Sequence, residues 1–140
     1  MMKRCLTAAL FVLLATVGAA AQTARVGREF KIKVGQVVTL DGGSLRVRFV
    51  GVASDSRCPV DVTCVWAGNA DVQFEVSAKG RRRWQEKRTL NLNTNASTER
   101  PGEEKYRRYT IKLVGLSPQP RSHRKIAAGR YTATLLVSKE

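Results

Sequence analysis

Residues 36–49 read QVVTLDGGSLRVRF, and this stretch decides the fold prediction. From residue 45 onward, apolar residues alternate with Arg46 and Arg48, so the apolar side chains would all point to one face of a β-strand. Residues 36–40 fit a second, weaker strand, and the DGG at residues 41–43 is typical of a hairpin turn. The stretch therefore predicts an antiparallel hairpin with one buried face.

The same alternation recurs along the rest of the chain, whereas no window keeps apolar residues at helical spacing. The alternating segments are residues 30–34, 71–76, 109–113 and 131–137, with a weaker one at 84–92. Polar residues 93–105 and 117–129 are predicted to be long connections. Because a one-faced sheet must bury that face against another sheet, we predict an all-β fold. It would be an antiparallel β-sandwich of Ig-like architecture, or a small barrel, with seven to eight strands.

The N-terminus has the features of a secretory signal peptide at residues 1–21. Lys3 and Arg4 precede an apolar run, and small residues follow at residues 18–21. The run is much shorter than the ~20 apolar residues of a membrane span, so no transmembrane segment is predicted. Residues 22–140 would form one domain, and removal of Lys3 and Arg4 lowers the formal charge from +14 to +12.

The predicted domain keeps two cysteines, Cys58 and Cys64. In an oxidising compartment they would form one local disulfide, unlike the distant cysteine pair of a true immunoglobulin domain. A metal site that adds Asp55, Asp61 or His123 is a weaker alternative, because paired zinc cysteines favour two to four intervening residues. A redox-active pair is another, although such sites prefer Cys-x-x-Cys.

Residues 55–70, DSRCPVDVTCVWAGNA, differ from the rest of the chain. Closing so small a ring contributes roughly 2.4 kcal/mol in the chain-entropy model, so the bridge would mainly fix the shape of the loop. Gly68 suits a tight or positive-φ turn, and Trp66 lies either in the core beside the bridge or exposed. We predict a recognition loop that presents Arg57, Asp61 and Trp66 to a partner.

This segment also carries a resemblance. DSRCP at residues 55–59 and C-x-W-x-G-x-A at residues 64–70 resemble the signature of a group of small exported bacterial proteins without known activity. The likeness extends over most of the predicted domain. It implies a secreted, β-rich, disulfide-bonded protein, and it supplies no activity, substrate or catalytic residue.

The strongly basic composition, with a pI near 10.6, predicts attraction to anionic surfaces such as lipopolysaccharide, acidic lipids or acidic proteins. Lys31 and Lys33 would share one strand face, as would Arg46 and Arg48, and pairing of the two strands would merge them into one patch. The three arginines at residues 81–83 would form a basic turn. A well-solvated basic exterior is the alternative. Nucleic acid is disfavoured by the compartment and by the few aromatic residues near the basic ones.

Catalytic groups are not apparent in the sequence. His123 is the only histidine and lies among basic residues, with no carboxylate nearby in sequence to orient it. Glu103 and Glu104 are adjacent in a polar segment, unlike the separated carboxylates of a glycosidase. We therefore predict a periplasmic or extracellular binding module with no catalytic residue, metal or cofactor. The alternatives are a structural envelope protein without a specific ligand, or a thiol-redox or metal-handling protein.

Overall fold

A computed structural model describes residues 21–97, 99 and 101–140 of the chain. The predicted signal peptide therefore lies outside the described residues, except for Ala21. No helix in the described part is long and apolar enough to cross a membrane. The described residues form two 3₁₀ turns, Asp41–Gly43 and Ala128–Arg130. They also form nine strands: β1 (Gln22–Thr23), β2 (Glu29–Lys33), β3 (Val37–Leu40), β4 (Leu45–Asp55), β5 (Ala70–Ala78), β6 (Arg88–Asn93), β7 (Glu103–Tyr106), β8 (Tyr109–Ser117) and β9 (Thr132–Lys139).

The strands form two sheets. One has five strands in the order β1-β3-β4-β5-β6, and the other has four in the order β2-β9-β8-β7. Every pairing is antiparallel except that of β1 with β3. The predicted all-β sandwich with a local disulfide is confirmed, and the barrel alternative is not, because the sheets do not close.

The core lies between the inward faces of the two sheets. Val47 and Phe49 on β4 lie opposite Val76 and Phe74 on β5, and all four side chains are fully buried. The two phenylalanine rings stack with centroids 5.1 Å apart. Burying one such side chain contributes about 1.5–3 kcal/mol, so the period-two pattern of the sequence provides the main driving force for this packing.

The hairpin predicted from residues 36–49 is present. Strands β3 and β4 pair with Leu40 opposite Leu45, and the turn between them is the Asp41–Gly43 segment. Asp41 then joins this turn to the other sheet: its Oδ2 accepts a hydrogen bond from the Tyr109 hydroxyl (2.6 Å) and lies 2.9 Å from the Lys139 Nζ. The Tyr109 hydrogen bond and the Lys139 ammonium lower the pKa of Asp41.

Three parts of the secondary structure differ from prediction. Strand β7 begins inside the predicted connection 93–105 and ends just beyond it; it is an edge strand in which only Tyr106 is buried, so apolar alternation is missing. Strand β1 has two residues, too few to show a period. The segment 84–92 becomes a strand only at Arg88, because Trp84 instead bridges Lys79 and closes the predicted turn at residues 81–83.

The strand directions place the long connections together at one end of the sandwich. Three connections follow strand ends that are paired or hydrogen-bonded to one another. They are residues 56–69, residues 94–97, 99 and 101–102, and residues 118–131. We call this the loop end. The opposite, hairpin end carries the turns at residues 41–44 and 79–87, which are joined by a hydrogen bond from the Lys79 N–H to the Ser44 carbonyl (2.7 Å).

Candidate functional site

The connection between β4 and β5, residues 56–69, is a loop closed by the Cys58–Cys64 disulfide, with Cα atoms 5.9 Å apart. We call it the disulfide loop. Its base continues the ladder of the two strands: the Ser56 N–H donates to the Asn69 carbonyl (2.7 Å) and the Cys58 N–H donates to the Ala67 carbonyl (2.9 Å). The predicted local disulfide is confirmed, and backbone hydrogen bonds fix the segment that leads into it.

Gly68 allows the loop to close so tightly. Its φ is +70°, as the predicted positive-φ turn requires. A Cβ at this position would lie 1.9 Å from the Ser56 carbonyl oxygen. Glycine is therefore needed twice here, for its backbone conformation and for the close approach of the two chain segments.

An ion pair between Asp55, the last residue of β4, and Arg57 lies at the base of the disulfide loop. The Arg57 Nε donates to Asp55 Oδ1 (2.8 Å) and its Nη2 donates to Oδ2 (2.7 Å), while the side chains are only 9% and 11% exposed for Arg57 and Asp55. Oδ2 also accepts from the Tyr131 hydroxyl (3.0 Å). Burial alone would raise the pKa of Asp55, but the hydrogen bonds and charge of Arg57 outweigh it and hold the pKa below its ordinary value.

The position of Arg57 corrects the prediction that it faces a partner. Beyond Asp55, its Nη1 donates to the Leu116 carbonyl (2.7 Å) and its Nη2 to the Pro118 carbonyl (3.0 Å). All three guanidinium nitrogens are thus bonded within the protein. Arg57 connects the disulfide loop to the β8–β9 connection, and it stabilises the loop end rather than presenting a charge to a ligand.

Asp61 makes a second connection between the same two segments. Its carboxylate is exposed but accepts hydrogen bonds from the Ser122 N–H (2.8 Å) and hydroxyl (2.5 Å), which lower the pKa of Asp61. The neighbouring Val60 N–H donates to the Pro120 carbonyl (3.0 Å). The predicted binding residue Asp61 therefore holds the disulfide loop against the β8–β9 connection.

A buried asparagine pair at the base of the loop was missed by the sequence analysis. The Asn69 Nδ2 donates to Asn93 Oδ1 (2.5 Å), and both residues are buried. Asn69 Oδ1 accepts from the Asn95 N–H (3.1 Å), and the Asn95 side chain donates to the Gly68 carbonyl (3.3 Å). Asparagine is also a common turn residue, so the sequence gives no signal that separates this buried network from an ordinary turn.

The outer part of the disulfide loop carries an exposed apolar surface. Trp66 is 81% exposed and Val65 is 92% exposed, which decides the open question about Trp66 in favour of exposure. Val60 and Val62, on the same loop, are also exposed. We call these four residues the apolar tip. Several exposed apolar side chains on one loop form a candidate interaction surface.

A cleft of about 440 Å³ lies in the β8–β9 connection beside the disulfide loop. Four cationic side chains line it, and none of them forms a salt bridge with any described residue. They are Arg121, Arg124, Lys125 and Arg130. We call it the basic cleft. The Arg124 N–H donates to the Arg121 carbonyl (3.3 Å), so a tight turn sets the spacing of these two arginines.

The basic patch predicted from Lys31, Lys33, Arg46 and Arg48 does not form. Lys31 and Lys33 lie on β2, an edge strand that pairs with β9, whereas Arg46 and Arg48 lie on β4 in the other sheet. The two pairs therefore share no face. The Arg46 guanidinium instead lies 3.8 Å from the centre of the Trp84 ring, a cation–π contact at the hairpin end.

The structure shows where the groups considered for metal binding and catalysis lie. No group of three or more His, Cys, Asp or Glu side chains among them could hold a metal ion. His123 is exposed, and Glu104 on β7 lies 3.4 Å from the guanidinium of Arg88 on β6, in an ion pair between the two sheets. Glu103 is the preceding residue on the same strand, so the two carboxylates point to opposite faces.

Known proteins give no further guidance. No family model, curated protein or solved structure matches the chain. The resemblance of residues 55–59 and 64–70 to small exported proteins stays a prediction. The disulfide is compatible with an exported protein, because such bridges persist in oxidising compartments.

Replacing Cys58 and Cys64 by alanine together should lower the free energy of unfolding by about 2 kcal/mol, the scale of a small closed ring. Urea unfolding with and without a reductant measures this. We expect the reductant to lower the midpoint of the wild type to that of the double variant and to leave the variant unchanged. A wild-type midpoint that is insensitive to full reduction would contradict a stabilising role for the bridge.

Proposed function

We propose that the protein is an exported binding module without catalytic chemistry, and that the disulfide loop is its recognition surface. One observation carries the proposal: Trp66 and Val65 are almost fully exposed on a loop that a disulfide, an ion pair and a buried asparagine network hold in shape. Burial of these two side chains against a partner would recover the hydrophobic free energy that the free protein lacks.

The rigidity of the loop supports this interpretation. A loop that is ordered before binding loses little conformational entropy when it meets a partner, so more of the contact energy appears as affinity. Tryptophan is among the residue types that dominate binding energy at protein surfaces. Arg57 and Asp61, which were predicted to touch the partner, would contribute indirectly by fixing the loop against the β8–β9 connection.

The location of the protein is part of the same proposal. A leader at residues 1–21 and two cysteines joined in a disulfide are together typical of a protein exported to the periplasm or the exterior. Without Lys3 and Arg4, the chain carries a formal charge of +12. The anionic surfaces of a cell envelope would attract such a charge.

Loop-dependent retention by a native envelope extract tests the proposal. We expect the double variant Val65→Ser, Trp66→Ala to lose at least about tenfold in retention, since a central tryptophan alone commonly carries more than 1.4 kcal/mol. The double variant Val37→Ser, Val50→Ser is the control, because both valines are exposed on strands. It should retain wild-type behaviour, and both variants should keep the wild-type melting temperature.

Two outcomes would count against the proposal. Equal retention of the wild type and the loop variant would remove the disulfide loop as the recognition surface and favour a structural envelope protein. Equal losses in the loop variant and the control would show that retention follows general surface hydrophobicity.

A further inference from the structure

We propose that the apolar tip and the basic cleft together dock this protein onto an anionic lipid surface. Trp66 and Val65 would enter the boundary between headgroups and acyl chains, and the cleft would take lipid phosphate groups. This inference rests on the proposed function, because it names the partner of the same recognition surface.

Both features lie at the loop end, where the disulfide loop contacts the β8–β9 connection. The apolar tip begins at Val60, whose N–H donates to the Pro120 carbonyl (3.0 Å), one residue before Arg121 in the cleft. Asp61 is held by Ser122, one residue after Arg121. These contacts fix the Val60–Asp61 part of the disulfide loop beside the cleft, and Trp66 lies at the same loop end, next to Asn95 and Ala96.

The charges at the loop end favour an anionic partner. The four cations of the basic cleft have no ion-pair partner among the described residues. Of the nearby acids, Asp55 is paired with Arg57, whereas Asp61 keeps its negative charge in the hydrogen bonds from Ser122 and attracts Arg121. Each Lys or Arg close to an anionic bilayer strengthens binding roughly fivefold, so the four cations add a large attraction.

The chemistry of the apolar tip favours a lipid surface over a protein groove. Tryptophan prefers the headgroup level of a bilayer, where its ring is in apolar surroundings and its N–H reaches polar groups. The tip projects outward, as the exposure of Val65 and Trp66 shows, and a bilayer accepts a projecting tip without a matching pocket. Apolar residues beside a cationic cluster are the combination that binds peripheral proteins to anionic membranes.

Vesicle co-sedimentation of the mature protein tests the inference. We expect binding to phosphatidylcholine vesicles that contain about a third phosphatidylglycerol, and little binding to pure phosphatidylcholine, at roughly 0.1 M salt. In a Trp84→Phe background, the remaining Trp66 fluorescence should shift to shorter wavelength with the anionic vesicles. The double variant Val65→Ser, Trp66→Ala should bind at least about tenfold more weakly.

A charge-matched pair of variants separates the cleft from general attraction. Arg121→Gln with Arg124→Gln should weaken vesicle binding at least about tenfold, whereas Arg81→Gln with Arg82→Gln, at the hairpin end, should change it less than about twofold. Both pairs remove two charges. Equal losses in the two pairs would overturn the inference, because binding would then depend on net charge alone.

Failure of this inference is distinguishable from failure of the proposed function. If no vesicle binds but a membrane-free envelope extract still retains the protein in a loop-dependent way, the partner is a protein and the lipid inference is wrong. If neither vesicles nor the extract show loop dependence, both proposals are wrong. Vesicle binding that vanishes in the loop variant and in the Arg121, Arg124 variant supports both.

Discussion

Replacing Asp55 by asparagine should lower the free energy of unfolding by about 3 kcal/mol, the lower end of what breaking a buried ion pair costs. The substitution keeps the size of the side chain but leaves the Arg57 guanidinium, which is 9% exposed, without its counter-charge. The Leu116 and Pro118 carbonyls would still accept from Arg57, so the loss stays below that of a wholly unpartnered charge. Urea unfolding at neutral pH measures the effect.

The pH dependence identifies the ion pair as the cause. The folded-state pKa of Asp55 lies below its ordinary value of ~3.9, so the stabilisation is fully present above about pH 4 and is lost as the pH falls through the folded-state pKa. The stabilities of the wild type and the Asp55→Asn variant should therefore converge in acid. Glu29→Gln, at an exposed carboxylate on β2, is the control and should change stability by less than about 0.5 kcal/mol. A difference in the free energy of unfolding between the wild type and Asp55→Asn that stays constant down to pH 2 would contradict the explanation.

Replacing Gly68 by alanine should lower the free energy of unfolding by more than about 3 kcal/mol and disrupt the disulfide loop. The added Cβ would meet the Ser56 carbonyl oxygen at 1.9 Å and its carbon at 2.7 Å, and both belong to backbone. The two segments have little room to separate, because the Ser56 N–H is bonded to the Asn69 carbonyl on the other side of the turn. Thermal and urea unfolding measure the loss.

Gly35 provides a matched control for this substitution. Its φ is +82°, close to that of Gly68, but no atom lies within 4 Å of an added Cβ. Gly35→Ala should therefore lower the free energy of unfolding only by the cost of the left-handed backbone conformation, about 1–2 kcal/mol. The difference between the two variants measures the steric clash alone. Similar losses at Gly68 and Gly35 would show that the close approach to Ser56 has no energetic role.

The fold was largely predictable because one physical signal, period-two burial, specifies most strands. The alternation around Arg46 and Arg48 predicted the β3–β4 hairpin and the buried face of β4. That signal failed where burial does not alternate, as in edge strand β7, where Tyr106 is the only buried residue. It also says nothing about which strands become neighbours. The predicted cluster of Lys31 and Lys33 with Arg46 and Arg48 failed because β2 and β4 belong to different sheets.

The candidate site was predictable in location but less so in the role of each residue. Cysteine spacing and Gly68 indicated a tight, bridged loop, which the structure contains. The sequence does not show whether Arg57 points outward or inward, because that depends on the Leu116 and Pro118 carbonyls about sixty residues away. The basic cleft likewise depends on the shape of the β8–β9 connection, which no periodicity describes.

At the loop end, the residues that stabilise the disulfide loop differ from those that it exposes. Asp55, Arg57 and Asn69 are largely buried and hold the disulfide loop, whereas Val65 and Trp66 are exposed. Substitutions in the first group should act through stability, and those in the second through binding. This division allows the two kinds of effect to be measured separately.

Site-specific photo-crosslinking in the native envelope tests the central claim most directly. A photoreactive amino acid placed at Val65 reports what touches the apolar tip, and the same group at the exposed Val37 of β3 reports the sheet surface. The proposed recognition surface predicts a discrete crosslinked product, to lipid or protein, from position 65 and none from position 37. Absence of a product from position 65, or the same products from both positions, would contradict it.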